Sequence, residues 1–443
     1  MAKHLVIIGN GIAGVTCARE VRKLDSSIRI TIISSESKHF FSRTALMYVY
    51  MGHMKLDHIK PYEDWFWKKN RIDLVHDHVT KVDTTAKLLT LEKTTAIPYD
   101  ILVLATGSKS NTLNVPGKDL KNVQGLYSLQ DLELMEKTTN DIKKAVIVGG
   151  GLIGIEMAEM LSSRGVQIKM IIREKLFWNG VLPDEEAAMI GRHLAEHGVK
   201  LIPEAELESI HDLNGDGEVN YIITKGGRRF DADFVGIAIG VSANIDFIKG
   251  CEIETDRGIL VDEKMASSIP NVYAIGDCTQ YRNAPEGRKT VEQVWYTGRM
   301  HGETLAKTIC GNETRYRPGP WFNSAKFLDI EFQTYGIVKP ILEENVEHFY
   351  WEHPEGKISF RAAFDKRLKT LQGINVFGMR LRHDVLDLWL RDKRDLPYVL
   401  ARLSQAQFDP EFSVHHEQAI LNAYNNQYGT KIIPLSSKAT SLI

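Results

Sequence analysis

Cysteine is scarce and scattered in this chain. Its four copies, Cys17, Cys251, Cys278 and Cys310, form no CxxC or CxxxxC pair. That excludes a zinc knuckle and a local redox dithiol, and leaves buried, inert thiols as their expected role. No run of about 18 uncharged apolar residues occurs, so no transmembrane helix is expected. Neither sign of charge dominates, with 55 Lys plus Arg against 57 Asp plus Glu, and a nucleic-acid partner is not expected. The first residues lack a basic stretch, a long apolar core and a small-residue cleavage site; they read as structure rather than an export signal, and the expected location is cytoplasmic. The 443 residues give room for two or three domains, each with its own core.

Glycine, in contrast, is placed with care. Residues 4–8 are a short apolar run ending in Gly9-Asn10-Gly11-Ile12-Ala13-Gly14, after which Val15, Ala18 and Val21 keep helical spacing. Strand, turn and helix follow. The first glycine permits the tight turn, the second lets the backbone approach a pyrophosphate, and the third lets helix pack on strand, with the helix N-terminus facing the phosphates. A second strand over 28–33 ends just before Glu36, whose carboxylate can accept from a ribose diol.

The arrangement recurs. Residues 145–148 are strand, Gly149-Gly150-Gly151-Leu152-Ile153-Gly154 the turn, and 155–163 helix. Two such units imply one tightly held and one exchangeable dinucleotide, the layout of a flavin enzyme fed by a nicotinamide. After the strand over 166–172 comes Arg173 and then Glu174. Arg173 can hold the 2′-phosphate of NADPH, Glu174 can serve an NADH ribose, and a solvated charge pair is the third reading. The arginine tips the expectation towards NADPH.

With these motifs the chain resembles, over residues 1–335, the two-dinucleotide-fold flavoproteins: pyridine nucleotide-disulfide reductases, NADH oxidases, and the reductases of rubredoxin and ferredoxin. The segment Tyr99-Asp100-Ile101-Leu102-Val103-Leu104-Ala105-Thr106-Gly107 looks like that family's exit from the first FAD segment, and Ala238-Ile239-Gly240 like its counterpart closing the nicotinamide domain. Asn271-Val272-Tyr273-Ala274-Ile275-Gly276-Asp277 resembles the second FAD motif, which implies that Asp277 binds the ribityl chain. The resemblance further implies Arg43 beside FAD, the backbone of Val79 at the adenine, Glu156 near the nicotinamide as the one candidate catalytic residue, and Trp295 near the isoalloxazine.

Departures from the family narrow the chemistry. Disulfide reductases, NADH peroxidases and coenzyme A disulfide reductases carry one or two cysteines after the first FAD motif, but residues 40–51 hold none. Thiol-relay and sulfenate routes therefore lack a nucleophile. The lysine that ferredoxin-type reductases place near flavin N5 corresponds to about Tyr48. Trp295, three residues before a Gly298 read as opening a helix, and Pro320-Trp321-Phe322-Asn323-Ser324 resemble the ferredoxin-reductase and apoptosis-inducing-factor branch.

Past Tyr335 the resemblance fades. Alternating residues at 348–351 and 358–363 predict strands of a third domain, and 385–390 and 398–403 predict helices. Arg380-Leu381-Arg382-His383 reads as a basic docking edge or, more commonly, a solvated charged turn. His415-His416-Glu417 is too weak to be assigned a metal, and no metal site is expected. The tail from Lys431 is expected to be poorly ordered.

The expected fold is α/β: two Rossmann-like FAD- and NAD(P)-binding domains with mainly parallel sheets, plus an α+β C-terminal domain. The FAD domain takes 1–113 and 246–318, the NAD(P)H domain 114–245, and the C-terminal domain 319–443, covering the flavin or building a homodimer. The expected activity is hydride transfer from NADH or NADPH to a non-covalent FAD, then electron transfer to a small carrier such as ferredoxin or rubredoxin. The alternatives are a redox sensor like apoptosis-inducing factor, and an oxidase using oxygen or a small molecule.

Overall fold

Alternating apolar runs and glycine turns build two sheets with the same pairing order. The computed structural model describes residues 3–435. In the first sheet Ile72–His76, Arg29–Ser34, His4–Ile8, Ile101–Leu104 and Val272–Ala274 lie side by side, all parallel. In the second, the order Val199–Ile202, Gln167–Ile171, Lys144–Val148, Phe234–Ile237 and Val123–Gln124 is again wholly parallel. Parallel strands covered on both faces read as near-continuous Val, Ile and Leu, as these do. Each first strand feeds a glycine turn and a helix, Ile12–Leu24 in one unit and Leu152–Ser162 in the other.

The third sheet is antiparallel, in the order Phe322–Phe327, Ile330–Gly336, Leu371–Phe377, Ser359–Asp365, Val346–Glu352. The predicted strand at 358–363 begins one residue later and runs to Asp365, and the predicted strand at 348–351 is the middle of Val346–Glu352. The helix expected at 398–403 starts earlier, as Leu396–Ala401, because the Asp395 carboxylate accepts from the Tyr398 N–H and Pro397 opens the first turn. Lys431 to Leu435 are not loose: the Asn425 amide donates to the Ile432 carbonyl and the Leu435 N–H to that of Ala401. The rest of the expected tail lies outside the described residues.

Phe327, Phe332 and Phe377 of the third sheet enter the same core as Phe177 and Leu194 of the second unit. The Phe177 and Phe327 rings meet edge to face at 6.0 Å. This is the contact that seats the C-terminal domain against the second unit.

The first unit is closed by the helix Trp295–Ile309 lying on Ile12–Leu24. Their approach is close enough to need glycine: a Cβ on Gly302 would fall 2.7 Å from the Ala13 carbonyl oxygen and 2.9 Å from the Cys17 nitrogen. Gly302→Ala should therefore push two backbones apart and cost about 1–3 kcal/mol, the scale of overpacking, seen as a lower urea midpoint. Gly191→Ala, where the nearest atom is the Leu201 side chain at 3.8 Å, should leave the midpoint unchanged or higher. Equal effects at the two positions would refute the close-packing account.

Candidate functional site

The two glycine turns are geometric copies. Gly9 has φ +113° and a Cβ there would meet the Ala105 oxygen at 2.1 Å; Gly149 has φ +111° and would meet the Ala238 oxygen at 2.3 Å. Nothing lies within 4 Å of a Cβ built on Gly11 or Gly151, while Gly14 and Gly154 are wedged against the carbonyls of Gly9 and Gly149. Gly11 and Gly151 are N-caps without a side-chain hydrogen bond. The helix Leu129–Thr138 differs, since the Ser128 hydroxyl accepts from the Asp131 N–H at its start. Uncapped, the first N–H groups of both glycine-turn helices are free for an anion.

A cavity of about 1130 Å³ opens over the first turn. Gly9, Gly11, Ile12 and Ala13 form its floor, Glu36 and Arg43 one wall, and Val79 lies beside Asp77 and His78. Ala105, Thr106, Gly107, Gly276, Asp277 and Trp295 also line it, and Gly14 sits behind Gly9. Of the second unit's residues, Ile153 and Glu156 reach into this same cavity. Gly149, Gly151, Leu152, Gly154 and Gly240 stay with their own turn. Arg173 is exposed beyond the strand Gln167–Ile171, close enough to draw on Glu206.

The wall residues are tied together. Arg43 donates to both Glu36 oxygens, at 2.8 and 2.6 Å, and to the Tyr127 carbonyl at 2.6 Å. The Leu129 N–H also donates to Glu36 Oε1 at 2.9 Å, so Oε1 has both lone pairs engaged and Oε2 keeps one for a ribose hydroxyl. Burial pushes the Asp277 carboxyl up, and Ser108 Oγ donates to it at 3.2 Å. Gln293 donates in turn to Ser108 Oγ at 2.8 Å. Burial, and then the neighbouring Glu159, push Glu156 up to about 7. Glu159 is itself paired at 2.9 Å with Lys326 of the C-terminal sheet, and that ammonium lies 5.7 Å over the Tyr48 ring.

Several residues escaped the sequence reading. Ser108, Tyr127 and Gln293 gave no signal because each is a single polar residue outside any motif, Ser108 opening the short strand Ser108–Ser110 and the other two in loops. His301 was equally silent, yet it is fully buried, accepts the Gly276 N–H on Nδ1 at 3.1 Å, and meets the Tyr281 hydroxyl through Nε2 at 2.6 Å. One expectation needs correcting. Trp295 itself opens the helix Trp295–Ile309, so Gly298 is inside its first turn, where it clears Ile12 and Ala13. Trp321 is not at the cavity; its ring covers the Arg288 guanidinium at 4.9 Å, within a buried Arg288–Glu292 bridge.

The basic edge is a set of local pairs, Arg380 with Glu331 and Arg382 with Asp384, around a buried Leu381. Among the described residues no cysteine lines the cavity, and all four are free thiols. Cys251 Sγ lies by the Val82 carbonyl and Cys310 Sγ by that of Val21. No described helix is long and apolar enough to cross a membrane.

Known proteins bear on this geometry. The family model described as pyridine nucleotide-disulphide oxidoreductase matches residues 3–302. Nitrite reductase [NAD(P)H] of Bacillus subtilis is 32% identical over 316 residues, 71% of this chain but 38% of its own length. This chain thus spans well under half of that relative. An NADH oxidase of Methanocaldococcus jannaschii is 33% identical over 347 residues, 75% of each chain. Among solved structures, the covalent putidaredoxin reductase–putidaredoxin complex aligns with a TM-score of 0.78 at 20% identity, covering 89% of this chain and 94% of that one; at that identity it supports the fold.

Burial, and then Arg288, hold His301 down to about 3. It is therefore neutral when folded and titrates near 6.5 when unfolded, so acidification from pH 6.5 towards 3 protonates the unfolded chain first and removes stability. His301→Gln keeps an acceptor for the Gly276 N–H but cannot titrate. Its stability should fall less steeply over that window, by up to about 1.4 kcal/mol per pH unit, in urea titrations at stepped pH. Parallel slopes would show that His301 does not carry the acid sensitivity.

Proposed function

The chain belongs to the pyridine nucleotide-disulphide oxidoreductase family, and on that footing we propose that it is an FAD-dependent NAD(P)H reductase that hands electrons to a small carrier protein. One observation carries this: Ile153 and Glu156, from the helix after the second glycine turn, line the cavity of the first turn. A nucleotide on the second turn would meet a flavin on the first.

The residues present fit that group. The uncapped helix N-terminus at Gly11 would take the pyrophosphate, the free lone pair of Glu36 Oε2 a ribose hydroxyl, the Val79 backbone the adenine, and Asp277 the ribityl chain. A flavin so bound supplies hydride acceptance and can release electrons one at a time. The chain's part is alignment: Trp295 and Ile153 bound the space where the two rings would stack, and burial keeps Glu156 about half uncharged at neutral pH. No side chain need act as acid or base for hydride transfer.

With no thiol at the cavity, electrons would leave the flavin directly, and carrier proteins accept them singly. The domain division 1–113 with 246–318, 114–245 and 319–443 belongs to this reading. So does a preference for NADPH through the exposed Arg173.

The purified protein should show flavin bands that NADPH bleaches anaerobically, faster than NADH does. Asp277→Ala should retain FAD about 10- to 100-fold more weakly, the worth of a hydrogen bond to a charged group. Arg173→Glu should turn selectivity towards NADH, and unchanged selectivity would remove the 2′-phosphate role. A protein that neither carries nor takes up FAD would overturn the proposal, while one reduced only very slowly would be a redox sensor.

A further inference from the structure

Outside the lining of that cavity, the helix Asp184–Glu196 carries His193 and, at its C-cap, His197, four residues on and so on the same face. Asp329, in the turn between Phe322–Phe327 and Ile330–Gly336, faces both. One ligand atom from each of the three lies within 4.8 Å of the others.

The hydrogen bonding around these groups is incomplete in a particular way. His197 Nδ1 lies 3.0 Å from the His193 carbonyl oxygen, so its proton belongs on Nδ1. The lone pair of Nε2 then faces Asp329 Oδ1 at 3.6 Å, and two lone-pair-bearing atoms so placed repel unless a proton or a metal cation lies between them. His193 is 1% exposed, and neither ring nitrogen has a hydrogen-bond partner. Its Nε2 is 2.5 Å from the same Asp329 oxygen, but off the N–H direction, as two ligands of one ion are. A buried imidazole left in that state costs about 1–3 kcal/mol.

We propose that His193, His197 and Asp329 form a zinc-class divalent metal site joining the second unit to the C-terminal domain. Two imidazoles and a carboxylate are a donor set for Zn²⁺, with a fourth position left to water. Tetrahedral zinc sets its ligand atoms about 3.4 Å apart, which the three side chains reach by small rotations. One outer partner fits as well. A ligating histidine ordinarily donates its other N–H to an oxygen; His197 has the His193 carbonyl at 3.0 Å, while the oxygen facing His193 Nδ1, Glu196 Oε2, stands at 3.8 Å, beyond hydrogen-bond reach. The sequence reading expected no metal because the third ligand is remote in the chain and only folding brings it to the histidine pair.

The ion would add to contacts made by the same helix, where Glu185 and Glu186 meet Arg361 and Arg192 meets Glu352. Its effect is to fix the C-terminal sheet against the second unit.

The test uses the full chain, without a histidine tag, stripped with EDTA and titrated calorimetrically with ZnCl₂. One ion per chain should bind and raise the thermal midpoint. His197→Ala and Asp329→Ala, both at exposed positions, should each weaken binding by at least about tenfold, the scale on which even the partners of ligands change metal affinity, and abolish the thermal shift. His415→Ala, at a separate histidine, should bind as the parent does. Absence of saturable binding near one equivalent, or parental affinity in both ligand variants, would overturn the proposal.

Discussion

The close contact between the helices Ile12–Leu24 and Trp295–Ile309 is the constraint on which the cavity depends. Two chain segments far apart in sequence must meet within backbone distance for Gly276 and Asp277 to stand across from Gly11 and Ala13. Gly298 and Gly302 allow it, since a side chain at Gly302 would strike the backbone of Ala13 and Cys17. His301, on the same helix, then binds the Gly276 N–H and fixes the turn that aims Asp277. Its neutrality follows from the burial that the helix contact creates, so packing and the protonation state of this turn are set together.

A second helix performs the equivalent service elsewhere. Asp184–Glu196 belongs to the second unit, yet its acidic first turn and its last turn both face the C-terminal sheet. Asn375 donates to the buried Glu186 at 3.0 Å, and Arg361 lies 3.2 Å from its other oxygen. Burial still pushes Glu186 up to about 7. Buried pairs of this kind contribute little net stability but penalise a shifted arrangement heavily, because one partner left alone is an uncompensated charge. The interface thereby selects one docking of the domain that presents Lys326 to Glu159.

Much of this was legible in the sequence, because glycine turns, parallel-strand runs and post-strand acids are local patterns with one physical solution. Gly9 and Gly149 have the same φ and the same carbonyl neighbour because each turn must let a helix return over its own strand. What could not be read was whatever depends on two distant segments meeting. His301 is a lone histidine until Gly276 is beside it, Trp321 has no visible partner until Arg288 comes under it, and Trp295 was placed before a helix it begins. The arginines of 380–383 left a docking edge open beside a solvated charged turn because Glu331, the partner of Arg380, is remote in the chain.

The position of Tyr48 shows how such a remote contact changes the chemistry. The family resemblance sets a lysine there, and its loss would take one cation from the cavity that Glu156 faces, leaving Arg43 and Lys109 in its lining. The structure supplies one from another domain: Lys326 lies over the Tyr48 ring and pairs with Glu159, one helical turn from Glu156. The positive charge is thus held back by its own carboxylate rather than offered to the cavity, and Glu156 remains without a hydrogen-bond partner among the described residues, its carboxyl raised by burial and by Glu159. A flavin in this cavity would face a carboxyl that is half neutral at pH about 7 and, at Tyr48, no lysine. Such a surrounding does less to stabilise negative charge on the reduced ring. The lysine that pairs with Glu159, Lys326, comes from the C-terminal sheet, beyond the part of the chain that the family match covers.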